Sequence, residues 1–381
     1  MIDSDIVVDP AVNDSALSVR CSKDELVQTL GVVSRGVSTR TAVLVLSGIL
    51  LRAEGDRLHL AATDMELSLR GSLEAQVGSD GAVVVSGRTL VDVARVLPGD
   101  EVTIEHLPAE GVVQVVSGSA SYRLHTFSTE DFPRLPDVEV AQLHAVDSTA
   151  LLETVARVSR AASRDESRPV LTGILVRFEA GTIVMAATDS YRMSVKETSV
   201  EGQLPDLEAI VPARALAELQ RIASGVEQLQ LGVHENHVVF GADGTWLTTR
   251  RIDGQFPNYR QLRPEAFEHE VPIARDELAE VVRRVSVMAQ RNSPLRLRFA
   301  DGELTISAQT QDVGEAKESL PVQFSGEALE IGFNADFLRD GVDSVDGDQA
   351  VLKLISSLRP ALITGEGDDF WYLIMPIRLA G

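Results

Sequence analysis

Apolar and polar residues alternate along the chain in short regular patterns with turn residues between them. In residues 147–162 the apolar positions recur every three or four residues, which predicts an amphipathic helix. Two runs with an apolar residue at every second position follow, joined by a turn at Gly181, and predict a β-hairpin. A further strand leads into a second helical pattern at 212–224, and another hairpin closes the unit. This order predicts an α+β unit with two helices packed on antiparallel sheets.

The unit occurs more than once. VLSGILLRAEGDRLHLAATDMELSLR at 45–70 is repeated as VLTGILVRFEAGTIVMAATDSYRMSVK at 170–196. The matched pairs stand 125 residues apart: Gly48 and Gly173, Thr63 and Thr188, and Asp64 and Asp189. A weaker third copy follows at 294–310 and 330–345. A period this long indicates duplicated whole domains rather than a short solenoid repeat.

The repeat divides nearly all of the chain into three tandem copies. We expect them at 17–142, 143–266 and 267–381, preceded by a flexible N-terminal tail at 1–16. Each copy should have its hairpin turn at a glycine, which tolerates positive φ, namely Gly55, Gly181 and Gly302.

The formal net charge of −22 argues against a protein that binds a polyphosphate tightly. The charge is unevenly distributed, however. The six predicted helical spans carry +2, whereas the remaining residues carry −24. Arg157, Arg160 and Arg164 follow each other at helical spacing, which predicts one basic helix face. The helices therefore indicate a basic surface suited to contact with a nucleic-acid backbone, without a base-reading motif.

Several classes of protein are disfavoured by what the sequence contains. There is no run of about 18 apolar residues, so we expect no membrane span and a cytoplasmic location. The single cysteine, Cys21, excludes an internal disulfide, and burial is the favoured interpretation of its thiol. Nucleotide-binding and hydrolase motifs are absent, and we expect no cofactor.

Two alternatives stay open at this point. Asp64 and Asp189 could form the catalytic pair of a hydrolase, although a shared turn at a strand end is favoured. The chain could also be a scaffold or ligand-binding protein of triplicated α+β domains, in which the helix arginines are merely solvated.

Three segments carry a resemblance to a known family. YLIMPIRL at 372–379, AATDSYRMSV at 186–195 and FPNYRQLRP at 256–264 resemble the corresponding stretches of bacterial DNA polymerase sliding clamps. The resemblance implies the DNA-clamp fold and a non-catalytic processivity factor of DNA replication, a homodimer that closes into a ring around double-stranded DNA. The implied partners are the DNA polymerase III catalytic subunit, the clamp-loader complex and other replication and repair proteins.

The resemblance also implies an apolar pocket that binds partner peptides. Transferred onto matching positions, its residues are Leu171, Thr188, Ser190, Tyr191, Arg192, Met193, Pro257, Leu262, Asn334, Phe337, Leu373, Met375, Pro376, Ile377, Arg378 and Leu379. Leu, Ile, Pro and the adaptable Met would form an apolar wall for a short peptide. This sequence departs from the commoner family pattern at Gln261, where Arg is usual, and at Ser190-Tyr191, where Gly-His is usual.

Candidate contacts to DNA and between subunits complete the expectations. The basic residues of the predicted helices give Arg88, Arg95, Arg157, Arg160, Arg164, Arg214, Arg221, Arg283, Arg284 and Arg291, to which the resemblance adds Arg40 and Arg168. For the dimer interface it implies that Tyr122 and Leu124 of one subunit meet Val287 and Met288 of its partner.

Overall fold

The computed structural model describes residues 16–38, 41–136, 143–179, 181–200, 207–234, 236–289, 293–310, 313–367 and 369–379. The helices are α1 (Lys23–Val33), α2 (Gly87–Val96), α3 (Ser148–Val158), α4 (Pro169–Thr172), α5 (Ala213–Ile222), α6 (Arg275–Ser286) and α7 (Ala335–Asp343). No helix within these ranges is both long and apolar enough to cross a bilayer.

Strands make up most of the regular structure. In the first third of the chain they are β1 (Ser18–Ser22), β2 (Gly48–Glu54), β3 (Arg57–Thr63), β4 (Leu67–Ser79), β5 (Gly81–Ser86), β6 (Glu101–Leu107), β7 (Val112–Ser117) and β8 (Ala120–Phe127). In the middle they are β9 (Leu143–Asp147), β10 (Gly173–Glu179), β11 (Thr182–Thr188), β12 (Arg192–Ser199), β13 (Glu208–Pro212), β14 (Gln228–His234), β15 (His237–Ala242) and β16 (Thr245–Arg250). In the last third they are β17 (His269–Ala274), β18 (Leu295–Ala300), β19 (Glu303–Thr310), β20 (Gly314–Pro321), β21 (Leu329–Phe333), β22 (Gln349–Leu354), β23 (Ala361–Thr364) and β24 (Phe370–Ile374).

The described chain forms two compact units. The first takes residues 16–148 and 215–251, within the described ranges, and contains one twelve-stranded sheet in the order β1-β6-β7-β8-β5-β2-β3-β4-β16-β15-β14-β9. Helix α1 packs on this sheet and against α2. Its buried face carries Leu26, Leu30 and Val33, which join Leu58 and Leu60 of β3 in one apolar core.

The second unit takes residues 149–200, 207–214 and 252–379, again within the described ranges. It contains an eight-stranded sheet, β13-β10-β11-β12-β24-β23-β22-β17, and a four-stranded sheet, β20-β19-β18-β21. Helices α6 and α7 pack on each other, and α6 also contacts β19 and β20. Within each unit one antiparallel strand pair joins consecutive copies of the repeat, β4 with β16 in the first and β12 with β24 in the second.

The predicted hairpin turns are confirmed. Gly55, Gly181 and Gly302 adopt φ angles of 62°, 80° and 71°. Cys21 is buried as expected, and burial together with the nearby Glu25 carboxylate raises the pKa of its thiol to about 12.

The prediction of one basic helix face in the second copy is wrong. Helix α3 ends at Val158, and residues 159–161 form a single 3₁₀ turn that buries Ala161. Arg164 therefore lies beyond the helix and cannot continue the spacing that Arg157 begins. The chain then bends through a turn in which Asp165 Oδ1 accepts the backbone N–H of Ser167 over 3.0 Å. The predicted tail apart from Ala16, together with Arg40 and Arg291, lies outside the described residues.

Two glycines test how much the turn geometry contributes to stability. A Cβ added at Gly31 in α1, or at Gly55 in its turn, would meet no atom within 4 Å. Only Gly55 has a positive φ, so Gly55→Ala should lower the free energy of unfolding by about 1 kcal/mol. Gly31→Ala should raise it by about 0.5–1 kcal/mol, because alanine is the better helix former. Urea denaturation of both variants measures the difference, and equal effects would contradict the argument.

Candidate functional site

Strand β11 ends in a tight turn that is held closed by two side chains. Thr188 Oγ1 donates to the carbonyl oxygen of Arg192 over 2.7 Å and accepts the backbone N–H of Ser190 over 3.1 Å. Asp189 Oδ1 accepts the backbone N–H groups of Tyr191 and Arg192 over 2.9 and 3.1 Å. These bonds hold Ser190 at a φ of 81°, which residues other than glycine rarely adopt. The turn therefore presents Tyr191 to solvent in a defined position.

The first copy of the repeat contains the same turn. Thr63 Oγ1 donates to the carbonyl of Leu67 and accepts the N–H of Met65, each over 3.0 Å. Asp64 Oδ1 accepts the N–H groups of Glu66 and Leu67 over 3.1 and 2.9 Å, and Met65 has a φ of 79°. The prediction that the repeated aspartates hold a strand-end turn is thus confirmed, and the catalytic-pair interpretation loses its support.

The buried guanidinium of Arg192 connects this turn to other elements of the second unit. Its Nε donates to Asp189 Oδ2 over 3.0 Å, and its Nη1 donates to Asp340 Oδ2 over 2.6 Å and to the Tyr372 hydroxyl over 3.2 Å. The guanidinium also lies over the Phe337 ring, 4.2 Å from the centroid. One side chain therefore ties the turn to helix α7 and strand β24.

Electrostatics keep this centre charged. Burial alone would lower the pKa of Arg192, but the Tyr372 hydroxyl and the Asp340 and Asp189 carboxylates together raise it above its usual range. For Tyr372, burial has the opposite effect and raises the pKa, so the phenol stays protonated. Its hydroxyl donates to the carbonyl of Phe337 over 2.9 Å. Arg192 thus serves as an internal anchor, and contact between it and a bound peptide stays a prediction.

The C-terminal segment crosses from the turn to strand β21. The N–H of Met375 donates to the carbonyl of Tyr191 over 2.9 Å, and the N–H of Ile377 donates to that of Gly332 over 2.8 Å. Leu379 then lies on Gly332, where an added Cβ would stand 2.6 Å from its Cδ2. A side chain at position 332 would displace this segment.

Around the crossing, the apolar side chains divide into an exposed rim and a buried floor. The exposed fractions are 62% for Tyr191, 50% for Leu262, 43% for Met375 and 38% for Ile377. Thr188, Met193 and Leu373 are buried. Met193 and Leu373 are cross-strand partners and pack with Tyr259, which places the segment between Pro257 and Leu262 beside them.

The other predicted pocket residues differ in their exposure. Leu171, Asn334, Phe337, Pro376 and Leu379 are partly buried, and Arg378 is exposed. Asn334 caps helix α7, because its Oδ1 accepts the N–H of Phe337 over 3.0 Å. The structure therefore brings most of the predicted set together around the turn, the C-terminal segment and the start of α7, and binding of a peptide there stays a prediction.

The sequence did not identify Asp189, Asp340 and Tyr372 as parts of this site. Arg168, for which contact with DNA stays a prediction, also lies beside the turn. The Arg168 Nη1 donates to Ser190 Oγ over 3.1 Å, and its Nε pairs with Asp165 over 2.9 Å. The hydroxyl and N–H of Ser167 and then Arg168 hold the pKa of Asp165 below its usual range. Only the repeat pattern, which aligns Asp189 with Asp64, carried a signal for one of them.

The candidate DNA contacts differ in how far their charge is already compensated. Arg157 pairs with Asp346 over 3.0 Å and donates to the carbonyl of Ser344 over 2.8 Å. Further ion pairs join Arg160 to Asp343, Arg221 to Glu218, and Arg284 to both Glu280 and Glu318. Arg88, Arg95, Arg164, Arg214 and Arg283 are exposed. Their contact with DNA stays a prediction.

Models of three consecutive protein domains match the chain. The N-terminal, central and C-terminal domains of the DNA polymerase III beta subunit match residues 17–136, 145–258 and 260–378. The chain belongs to the DNA polymerase III beta subunit family. The beta sliding clamp of Streptomyces coelicolor is 36% identical, with 96% of this chain and all of that protein aligned. The clamp of Synechococcus elongatus is 34% identical, with 94% and 98% covered.

Solved clamp structures match the fold over nearly the whole chain. A Caulobacter crescentus beta sliding clamp superposes with a TM-score of 0.91 at 28% identity, covering 96% of this chain and all of that one. A Pseudomonas aeruginosa clamp bound to griselimycin superposes with a TM-score of 0.87 at 27% identity, with the same coverage. The predictions of the family and of the clamp fold, with three tandem copies, are therefore confirmed.

Replacing one of the two carboxylates that bond Arg192 tests how much that carboxylate contributes to the free energy of unfolding. Asp340→Asn leaves the buried guanidinium with one carboxylate, so the free energy of unfolding should fall by about 2 kcal/mol. Glu330→Gln removes an exposed ion pair with Arg296 and should change it by less than about 0.5 kcal/mol. Urea denaturation measures both, and a loss at Glu330 as large as that at Asp340 would contradict this account.

Proposed function

We propose that this chain is a replicative sliding clamp in which two copies close head to tail into a ring around duplex DNA. The ring holds DNA polymerase III on its template without catalysing a reaction, and it works in the cytoplasm. In this proposal the three clamp domains of each copy span 17–142, 143–266 and 267–381. Membership of the beta subunit family, matched across three consecutive domains, is the observation that carries this proposal.

The acidic surface is compatible with this function. A ring stays on DNA because it is closed, so it needs no strong attraction to phosphates. Strong contacts would hinder movement, since each Lys or Arg bound to a phosphate adds affinity by releasing counterions. The exposed Arg88, Arg95, Arg164 and Arg283 supply a modest attraction that is independent of DNA sequence.

The site around Arg192 is the proposed binding pocket for partner peptides. Its rim exposes apolar side chains from three separate segments, and large apolar side chains of a short peptide would cover them. Met375 adapts to different partners because its side chain is flexible and polarisable. The exposed Arg378 would pair with a peptide carboxylate. The polymerase catalytic subunit, the clamp loader and other replication and repair proteins would share this pocket.

The proposed subunit interface joins strand β8 of one copy to the end of helix α6 in the other. Tyr122 and Leu124 of β8 are partly buried against the core of the first unit. Val287 directly follows α6 and is highly exposed, while Met288 is partly buried. Covering an exposed valine with an apolar surface of the partner removes apolar area from water, which would stabilise the dimer.

Retention on DNA tests the ring. The chain, loaded by an active clamp loader onto nicked circular plasmid, should co-elute with the circles on gel filtration and be lost after the plasmid is linearised. A free DNA end releases a ring that is held only by its closure. Val287→Asp should abolish retention by opening the interface. Val96→Asp, at an exposed valine of the first unit, should leave it unchanged.

A related clamp loaded in parallel shows that the loader is active. Equal retention on circular and linear plasmid would contradict the ring. Failure to load while the related clamp loads would favour the scaffold alternative.

Peptide binding tests the pocket. Ile377→Ser should weaken binding of a fluorescent peptide with Leu and Phe side chains by about tenfold, because it removes an exposed apolar wall residue. Fluorescence anisotropy measures the affinity. Val313→Ser changes an exposed valine elsewhere in the same unit and is the matched control. The assignment fails if both variants bind like the parent, or if both lose affinity equally.

A further inference from the structure

A cavity of about 510 Å³ opens on the first unit, and its lining residues are all different from those of the site described above. It lies between the hairpin turns at Gly55 and Gly244, with walls from β3, β4 and β14 to β16. Leu58 of β3 faces the apolar core, so its neighbours Arg57 and His59 point to the opposite face of the sheet, where the cavity lies. Its volume is typical of sites that enclose most of a small ligand.

Trp246 supplies a flat wall of this cavity. Its six-membered ring lies over Gly241, where an added Cβ would stand 2.6 Å from Cζ3. The indole thus rests with one side on the backbone of β15, and it is only partly buried. The faces of an indole attract planar groups and cations.

Gln230 supplies a hydrogen-bond acceptor in the same cavity. Its Oε1 is buried and receives no donor within the part of the chain that the structure describes. A buried carbonyl oxygen without a donor is costly. Gln230 is only partly buried, so a rotation of its side chain brings the oxygen to the cavity, where a ligand that donates to it removes that cost. Gln228 lies two residues away on the same face of β14.

The charges that line the cavity are mainly negative. The carboxylates belong to Glu54, Asp56 and Asp243. Glu54 is paired with Arg52 over 2.9 Å. The one arginine in the lining, Arg57, donates through Nε and Nη2 to Ser72 Oγ over 3.1 and 2.8 Å. Two further carboxylates outweigh Arg57, so the cavity disfavours phosphate groups and favours a cation.

We infer that this cavity binds the guanidinium group of an arginine carried by a segment of a partner protein. A guanidinium is planar and charged and carries five N–H donors. It can stack on the Trp246 indole, donate to Gln230 Oε1 and lie near the Asp243 carboxylate. The ammonium of lysine lacks the planar face. The cavity is in the first unit, and the inference does not depend on the clamp function.

Two tryptophans make the test direct, because ¹⁵N-labelled full-length protein has only two indole N–H signals, from Trp246 and Trp371. Trp246→Phe assigns them. Titration with Nα-acetyl-arginine amide should shift the Trp246 signal to saturation, with a Kd on the order of 1 mM. The Trp371 signal should not move, because that side chain is buried in the second unit. Nα-acetyl-citrulline amide, which has the same shape without the charge, should bind at least about fivefold more weakly.

Variants separate a binding role from a structural one. Gln230→Leu should weaken binding of the arginine probe by about fivefold without lowering the melting temperature, since it removes a buried unsatisfied acceptor. Asp243→Asn keeps a side chain that tolerates the φ of 44° and should also weaken binding. Asp80→Asn, an exposed acid outside the cavity, should have no effect. An unmoved Trp246 signal, an equal response to the citrulline probe, or unchanged binding by both cavity variants would overturn the inference.

Discussion

A buried guanidinium must be compensated on several sides, and this requirement organises the second unit around Arg192. The side chain reaches Asp189 in its own turn, Asp340 on helix α7 and Tyr372 on strand β24. Removing any of these groups would leave charge or hydrogen-bonding capacity unsatisfied in a buried place. The charged centre beneath this turn therefore depends on elements far away in the sequence.

Comparison of the two copies of the turn shows what duplication kept and what it changed. The threonine and aspartate bonds are the same at Thr63 and Asp64 as at Thr188 and Asp189. The residue that follows differs. The first copy has Leu67, which is buried, where the second has Arg192. Both copies thus share the backbone turn. Of these two copies, only the second has the charged centre beneath the rim.

The parts of the fold that local chemistry determines could be predicted from the sequence. The hairpin glycines, the repeated turn and the order of the elements all follow from patterns within a few residues or from the repeat itself. The end of α3 at Val158 could not be predicted, since the burial of Ala161 overrides the continuing helical spacing. The partners of Arg192 could not be predicted either, because Asp340 lies 148 residues away in the chain. The bond from Arg168 to Ser190 also depends on how the turn folds, and the contact of Arg168 with DNA stays a prediction.

The same long-range pairing alters the electrostatic argument. Counting charges by helix gave a basic surface, yet Arg157 bonds Ser344, 187 residues away, and Arg160 bonds Asp343, 183 residues away. The backbone N–H of Gly347 and then Arg157 hold the pKa of Asp346 below its usual range, so part of the Arg157 charge is already balanced by this carboxylate. The positive charge left for a DNA backbone is therefore smaller than the helical count indicates. A ring that is retained by its closure, as proposed above, would benefit from this reduction, since fewer phosphate contacts mean a weaker dependence on salt and less resistance to sliding.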